Sequence, residues 1–198
     1  MRVSWQQLSD DIYGCQKCRL CETRSNVVPG EGNPNADIMF IGEGPGRDED
    51  LQGRPFVGRS GELLTRMIRA IGLEREDVYI CNIVKCRPPQ NRNPQPDEAA
   101  ACLNYLRAQV ALVRPKIVVL LGKVACLYTL QQDVSVMREH GRWFERKGVW
   151  FMPTFHPSAL LRDPSKKRES WEDFQKIRDK LAQLSAGDDM MEDEKLGK

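Results

Sequence analysis

Between positions 42 and 58 the chain reads Gly42-Glu-Gly-Pro-Gly-Arg-Asp-Glu-Asp50 and then, four residues on, Pro55-Phe-Val-Gly58. The stretch offers a carboxylate at Glu43, backbone N–H groups exposed by glycine, and a lone aromatic ring. It follows an apolar run at 36–41 that alternates poorly, as a strand buried on both faces does. Gly42 and Glu43 therefore sit at the C-terminal end of a strand, where open parallel sheets bind ligands. The glycines allow backbone to approach a ligand closely, and Pro45 limits how the loop can collapse. This is the outline of a pocket for a flat, polar, anion-forming ring; an ordinary glycine-rich βα turn is the plain alternative. Neither G-x-G-x-x-G nor G-x-x-x-x-G-K-[ST] occurs, so a dinucleotide site or a P-loop has little support.

Two more residues belong with this loop. Asn82 lies between Cys81 and Ile83 in an otherwise apolar run. An unpaired amide buried there would cost about 1–3 kcal/mol, so it needs a partner, in a ligand or within the loops. His156 opens His156-Pro-Ser-Ala-Leu-Leu-Arg162, in which Pro157 stops the strand and Leu160 and Leu161 fall in an expected loop. Beside them lie Arg162, Lys166, Lys167 and Arg168. Leucines next to such a phosphate-binding patch suit a wedge, because proteins that kink duplexes insert apolar side chains between base steps. The alternative is that one leucine begins the core face of the last helix. His140, in Arg138-Glu-His-Gly-Arg142, reads as an exposed turn. With two histidines in all, an H-x-x-x-H metal site is excluded.

Cys15-Gln-Lys-Cys18 is a C-x-x-C, and Cys86 and Cys102 supply a second, wider pair. Four thiolates can close a tetrahedral site that ties the N-terminal segment to the segment after the second strand. Zinc and [4Fe-4S] both accept four cysteines, and spacing alone does not choose between them. Cys21 extends the first pair to C-x-x-C-x-x-C, but the bacterial ferredoxin run needs a fourth cysteine at 25 followed by proline, where Ser25-Asn26 stands. Cys21 is read as a bystander, and Cys81 and Cys126 as core.

These residues need a scaffold. A chain of 198 residues with ordinary apolar content can bury the core of one α/β domain without staples. Strands are expected at 36–42, 78–84, 116–122 and 149–155. Helices are expected at 5–13, 60–71 (N-cap Ser60), 97–113, 123–131 and 170–184. Right-handed crossovers make this a three-layer αβα sandwich around a mostly parallel four-stranded sheet, with Glu43, Asn82 and His156 on one rim. No run is long enough to span a bilayer and the N-terminus lacks a signal-peptide core, so a cytoplasmic protein with reduced thiols is expected. The formal charge of +2 includes a tail at 186–198 with five acids against two lysines, leaving a body near +5. A mildly basic body suits a polyanionic partner, and the tail reads as disordered. The remainder, 1–185, forms the expected domain.

Taken in order, Gly42-Glu-Gly-Pro-Gly46, Gly53-Arg-Pro-Phe-Val-Gly58, Asn82-Ile-Val-Lys-Cys-Arg-Pro88 and His156-Pro-Ser158 resemble the uracil-DNA glycosylase superfamily, specifically its iron-sulfur-containing family 4. The resemblance spans 15–184. It implies a [4Fe-4S] cluster on Cys15, Cys18, Cys86 and Cys102. It also implies a DNA repair enzyme that flips uracil into a pocket and hydrolyses its bond to the sugar. Phe56 would stack on the ring, and the Asn82 carboxamide would pair with N3–H and O4, a pattern cytosine presents reversed. A His156 donor and N–H groups around Gly42 and Gly44 would meet the charge growing on O2. Glu43 and Glu49 would orient water or stabilise the sugar cation. Ser158, Leu160, Leu161 and Arg162 would contact DNA. One departure stands out: in the best-known branch an aspartate of the first motif activates water, and Gly44 occupies that place here, so leaving-group stabilisation carries more of the rate.

Three rivals are weaker. A covalent uracil-trapping relative carries a basic loop ending in histidine, whereas 87–96 contains none. An electron-transfer protein, or a non-catalytic DNA-binding module, would not need Glu43, Phe56, Asn82 and His156 together. A monomer is expected, and no replication-clamp contact can be read.

Overall fold

A computed structural model describes the backbone of residues 4–196 and the side chains of residues 4–187. The apolar runs form the strands. In chain order these are β1 (Glu31–Gly32), β2 (Ile38–Gly42), β3 (Tyr79–Asn82), β4 (Ile117–Leu121), β5 (Phe144–Arg146) and β6 (Val149–Thr154). They form one sheet in the order β1-β3-β2-β4-β6-β5, in which β3, β2, β4 and β6 run parallel and the two edge strands antiparallel. The helices are α1 (Trp5–Tyr13), α2 (Arg47–Gln52), α3 (Arg59–Ala70), α4 (Pro96–Val113), α5 (Lys123–Leu130), α6 (Val136–Glu139), α7 (Pro157–Arg162) and α8 (Lys167–Leu196).

Alternation along the central strands divides the core. Met39, Ile41, Val118 and Leu120 face α1, α4 and α5, while Ile38, Phe40, Val119 and Leu121 face α3 and α8. Both faces of β2 and β4 are thus covered, which is why their sequences are continuously apolar. The result is the expected three-layer, mostly parallel architecture, with six strands in place of four. The added edge strands are too short to show periodicity. The β5–β6 hairpin turns on Lys147 and Gly148, both at positive φ.

Three local expectations are corrected. Helix α3 begins at Arg59 with Gly58 as its cap, so Ser60 lies inside the first turn. The segment after His156 is a helix, not a loop: Pro157 sits at its first position, where a missing N–H leaves no bond unmade. His140 is half-buried rather than exposed. Its ring lies 4.8 Å from that of Phe155, with Nδ1 3.0 Å from Asp173 and Nε2 3.3 Å from Glu169. Asp173 also accepts from Thr154 Oγ1 at 2.7 Å, which ties the end of β6 to α8. The acidic tail expected at 186–198 lies, from residue 188 on, outside the described side chains.

Candidate active site

The strand order reverses between β2 and β4, and a cavity of about 490 Å³ opens beyond the C-terminal ends of the parallel strands. Glu43 follows β2, Asn82 ends β3, Gly122 follows β4 and His156 follows β6, and all four line it together with Phe56 and Arg162. Gly42 is where the floor converges, since a Cβ there would lie 2.5 Å from both Asn82 Oδ1 and the Phe56 ring. Asn82 is 1% exposed and its Oδ1 has no hydrogen-bond partner. A buried acceptor left open at a cavity wall is set for a donor from a ligand.

Phe56 adopts φ 51°, an unfavourable backbone for an aromatic residue. Arg75 holds it there, donating to Phe56 O at 3.1 Å and Pro55 O at 2.9 Å while pairing with Glu31. The ring centroid stands 5.6 Å from that of His156. His156 caps α7: its Nδ1 accepts from Ser158 N–H at 3.1 Å and lies 2.8 Å from Ser158 Oγ. An Nδ1 that accepts from a backbone N–H carries no proton, so the neutral ring's proton is on Nε2. Burial, helped by the nearby Arg162 cation, depresses the ring's pKa to about 4. Gly122 meets the opposite side of His156 at φ 90°, where a Cβ would lie 3.0 Å from His156 Cβ.

The two acidic residues differ in surroundings. Glu49 is buried, and both its oxygens are engaged: Oε2 accepts from Gly46 N–H at 3.1 Å, Oε1 from Val57 and Gly58 N–H at 3.0 and 2.9 Å. It clamps the glycine loop to the Phe56 turn, which is a different task from the water activation expected of it. The Glu43 carboxylate makes no hydrogen bond among the described residues, and burial raises its pKa against the pull of Arg162.

Cys86 and Cys102 are buried in the core, with half-buried Cys15 and Cys18 packed against the same cluster. Arg24 donates from Nη1 to Cys86 Sγ at 3.0 Å and from Nη2 to Cys15 O at 2.9 Å. Burial pushes the Cys86 thiol up to about 11 against that guanidinium, with Cys102 and Cys18 adding to the rise. Cys21 is half-buried nearby; Cys81 and Cys126 are core. Among the described residues, no three His, Cys, Asp or Glu side chains are set to hold a single metal ion.

Of the expected DNA contacts, Arg162 is exposed at the cavity mouth and Ser158 lines it. Leu160 is not at the surface: it is 1% exposed, packed with Leu63 and Phe155, and half-buried Leu161 lies against the same cluster. The helical turn of α7 rotates it inward. Asn91, Asn93, Lys123 and Met137 also line the cavity and carried no sequence signal. Lys85 did carry one, as a charge within an apolar run. It is 1% exposed and donates to Asn82 O at 2.6 Å.

A sequence model of the family described as the uracil DNA glycosylase superfamily matches residues 29–181. The chain is 48% identical over 177 residues to a type-4 uracil-DNA glycosylase of Thermotoga maritima, covering 86% of this chain and 91% of the relative. It is 45% identical over 185 residues to that of Sulfurisphaera tokodaii (89% and 84%), and 45% over 175 residues to that of Archaeoglobus fulgidus (84% and 88%).

Proposed function

The chain belongs to the uracil DNA glycosylase superfamily, and from this premise we propose that it is a type-4 uracil-DNA glycosylase. It takes uracil out of DNA and hydrolyses the bond between base and sugar, leaving free uracil and an abasic site. The observation that carries this is Asn82: a fully buried carboxamide whose oxygen is open, beside an aromatic ring and beneath a cavity. Its oxygen accepts from N3–H and its amide donates to O4, while Phe56 stacks on the ring.

As the bond breaks, negative charge collects on O2. His156, neutral and protonated on Nε2, supplies the donor at that oxygen, together with N–H groups at Gly42 and Gly44. With Nδ1 accepting from Ser158 N–H, the ring's one proton is held on Nε2 for the leaving anion. Glu43, the free carboxylate, faces the sugar and either orients water or steadies the developing cation. Glu49 fixes the loop that carries them. Arg162 and Ser158 contact the DNA backbone.

Cys15, Cys18, Cys86 and Cys102 would hold a [4Fe-4S] cluster. The donor chemistry fits: four thiols from three segments border one core cluster, Cys18 is near enough to Cys86 and Cys102 to raise both thiols, and Arg24 offers positive charge and an N–H to one sulfur. When bound, the cluster ties the N-terminal segment to the loop after β3. Cys21 stays outside it, so Cys21→Ala retains iron and sulfide. A protein isolated anaerobically with zinc and no iron or sulfide would overturn the cluster assignment. We place the enzyme in the cytoplasm as a monomer, with residues 1–185 as its domain; among the described residues no helix is long and apolar enough to cross a membrane. The direct test is incubation with uracil- and cytosine-containing oligonucleotides followed by alkaline cleavage. Strand breaks are expected with uracil alone, and none with uracil would reject the reading.

A further inference from the structure

A uracil paired in a duplex must leave its stack before it can reach a cavity floored by Asn82 and Phe56, and the unstacking costs a few kcal/mol. An apolar side chain inserted at the lesion holds such a distortion open. Leu160 is buried and Leu161 lies half-buried against Leu63 and Phe155, so α7 has no free leucine to insert. Among the described residues the exposed large apolar side chains are Tyr13, Leu51, Leu127, Met137 and Trp171. Of these, Met137 alone lines the cavity, and it is 59% exposed.

Its support is ordered. Val136, one residue before, packs against the Leu63–Phe155–Leu160 cluster, which fixes α6 to the site and leaves Met137 on the rim. Ser135 N–H donates to Glu139 Oε2 at 3.2 Å at the start of this short helix. His140, just past its end, is held between Glu169 and Asp173 of α8. Lys123 and Arg162 line the same cavity and offer cations to the flanking phosphates. An unbranched, polarizable thioether suits contact with base faces.

We propose that Met137 enters the duplex at the lesion and fills the space vacated by the flipped uracil. This rests on the glycosylase reading. The test measures single-turnover excision by wild type, Met137→Ala and Met137→Leu on a single strand, on a U:A duplex, and on a duplex with a pyrene nucleoside opposite uracil, whose bulk expels the base. Met137→Ala should be slowed roughly 10- to 100-fold on the U:A duplex, the kinetic equivalent of losing about 1.4 to 2.8 kcal/mol. It should be nearly unchanged on the single strand and restored by pyrene, with Met137→Leu close to wild type. Equal rates for Met137→Ala and wild type on the U:A duplex, or equal losses on duplex and single strand, overturn the proposal. Absence of excision by the wild type from all three substrates would instead overturn the glycosylase reading itself.

Discussion

His156 is kept neutral by its position and kept in one tautomer by its neighbour. The acceptor at Nδ1 is taken by Ser158 N–H, which leaves Nε2–H for the cavity. Removing the ring as His156→Ala should cost about 3 kcal/mol in the chemical step, two to three orders of magnitude in single-turnover rate, the range for one oxyanion-type donor. Its depressed pKa also has a consequence for stability. Burial, with Arg162 close by, brings the ring from an ordinary 6.5 to about 4, so the unfolded chain takes up a proton that the folded one refuses. The ring's contribution to stability is complete above about pH 6.5 and is lost as the pH falls towards 4. Thermal midpoints between pH 7 and 4.5 should therefore fall more steeply in wild type than in His156→Gln; equal slopes would count against a buried neutral imidazole. Asn82→Asp should weaken uracil excision, because a carboxylate cannot donate to O4, and should give cytosine some activity. Rates on paired uracil and cytosine substrates decide it. Asn82 and His156 were both legible in the sequence because a polar residue at the end of an apolar strand is conspicuous. Arg75 was not, because its acceptors are carbonyls at positions 55 and 56 that only folding brings to it.

At the scale of elements, the parallel strands and most helices were readable because apolar period and strand length agree. What escaped was decided by single positions. Pro157 was read as stopping the strand and opening a loop, yet in a first helical turn it is well suited, and the helix it opens carries Leu160 into the core. Glu49 shows the same limit from the other side. A carboxylate three residues past a glycine loop looks like chemistry, but the chain around it supplies three backbone donors and uses both oxygens. Glu49→Gln places an NH₂ group against at least one of those donors, which should destabilise the fold by about 1–3 kcal/mol. Excision should slow on single-stranded and duplex DNA alike, because the loop and Phe56 lose their common anchor. Its pH–rate profile should keep the wild-type shape. A profile that lost one limb while the thermal midpoint stayed fixed would return Glu49 to acid–base catalysis.

Across the whole molecule, the cysteine segments proposed to hold the cluster and the proposed uracil pocket meet at one strand. Cys86 follows β3 by four residues, and Asn82 is its last residue. Between them lies Lys85, a buried ammonium whose one hydrogen bond is to Asn82 O and which meets no carboxylate among the described residues. Lysine is almost never fully buried without a partner charge. The groups around it that can become anionic are thiols: burial raises Cys102 against the Lys85 backbone N–H and ammonium, and raises Cys81 against the same ammonium. This gives Lys85→Met an informative sign. Replacing a buried charge that has no counterion by an apolar side chain of similar volume is neutral or stabilising, whereas breaking a buried pair is strongly destabilising. If thiolates at Cys86 and Cys102 carry the balancing charge, Lys85→Met should lower the thermal midpoint of the iron-loaded protein and speed iron release to a chelator. The apoprotein, its thiols protonated, should be unaffected or stabilised by the same change. A loaded variant as stable as wild type, with iron held as long, would mean that the ammonium serves the Asn82 carbonyl alone and that the two centres share a strand without sharing charge.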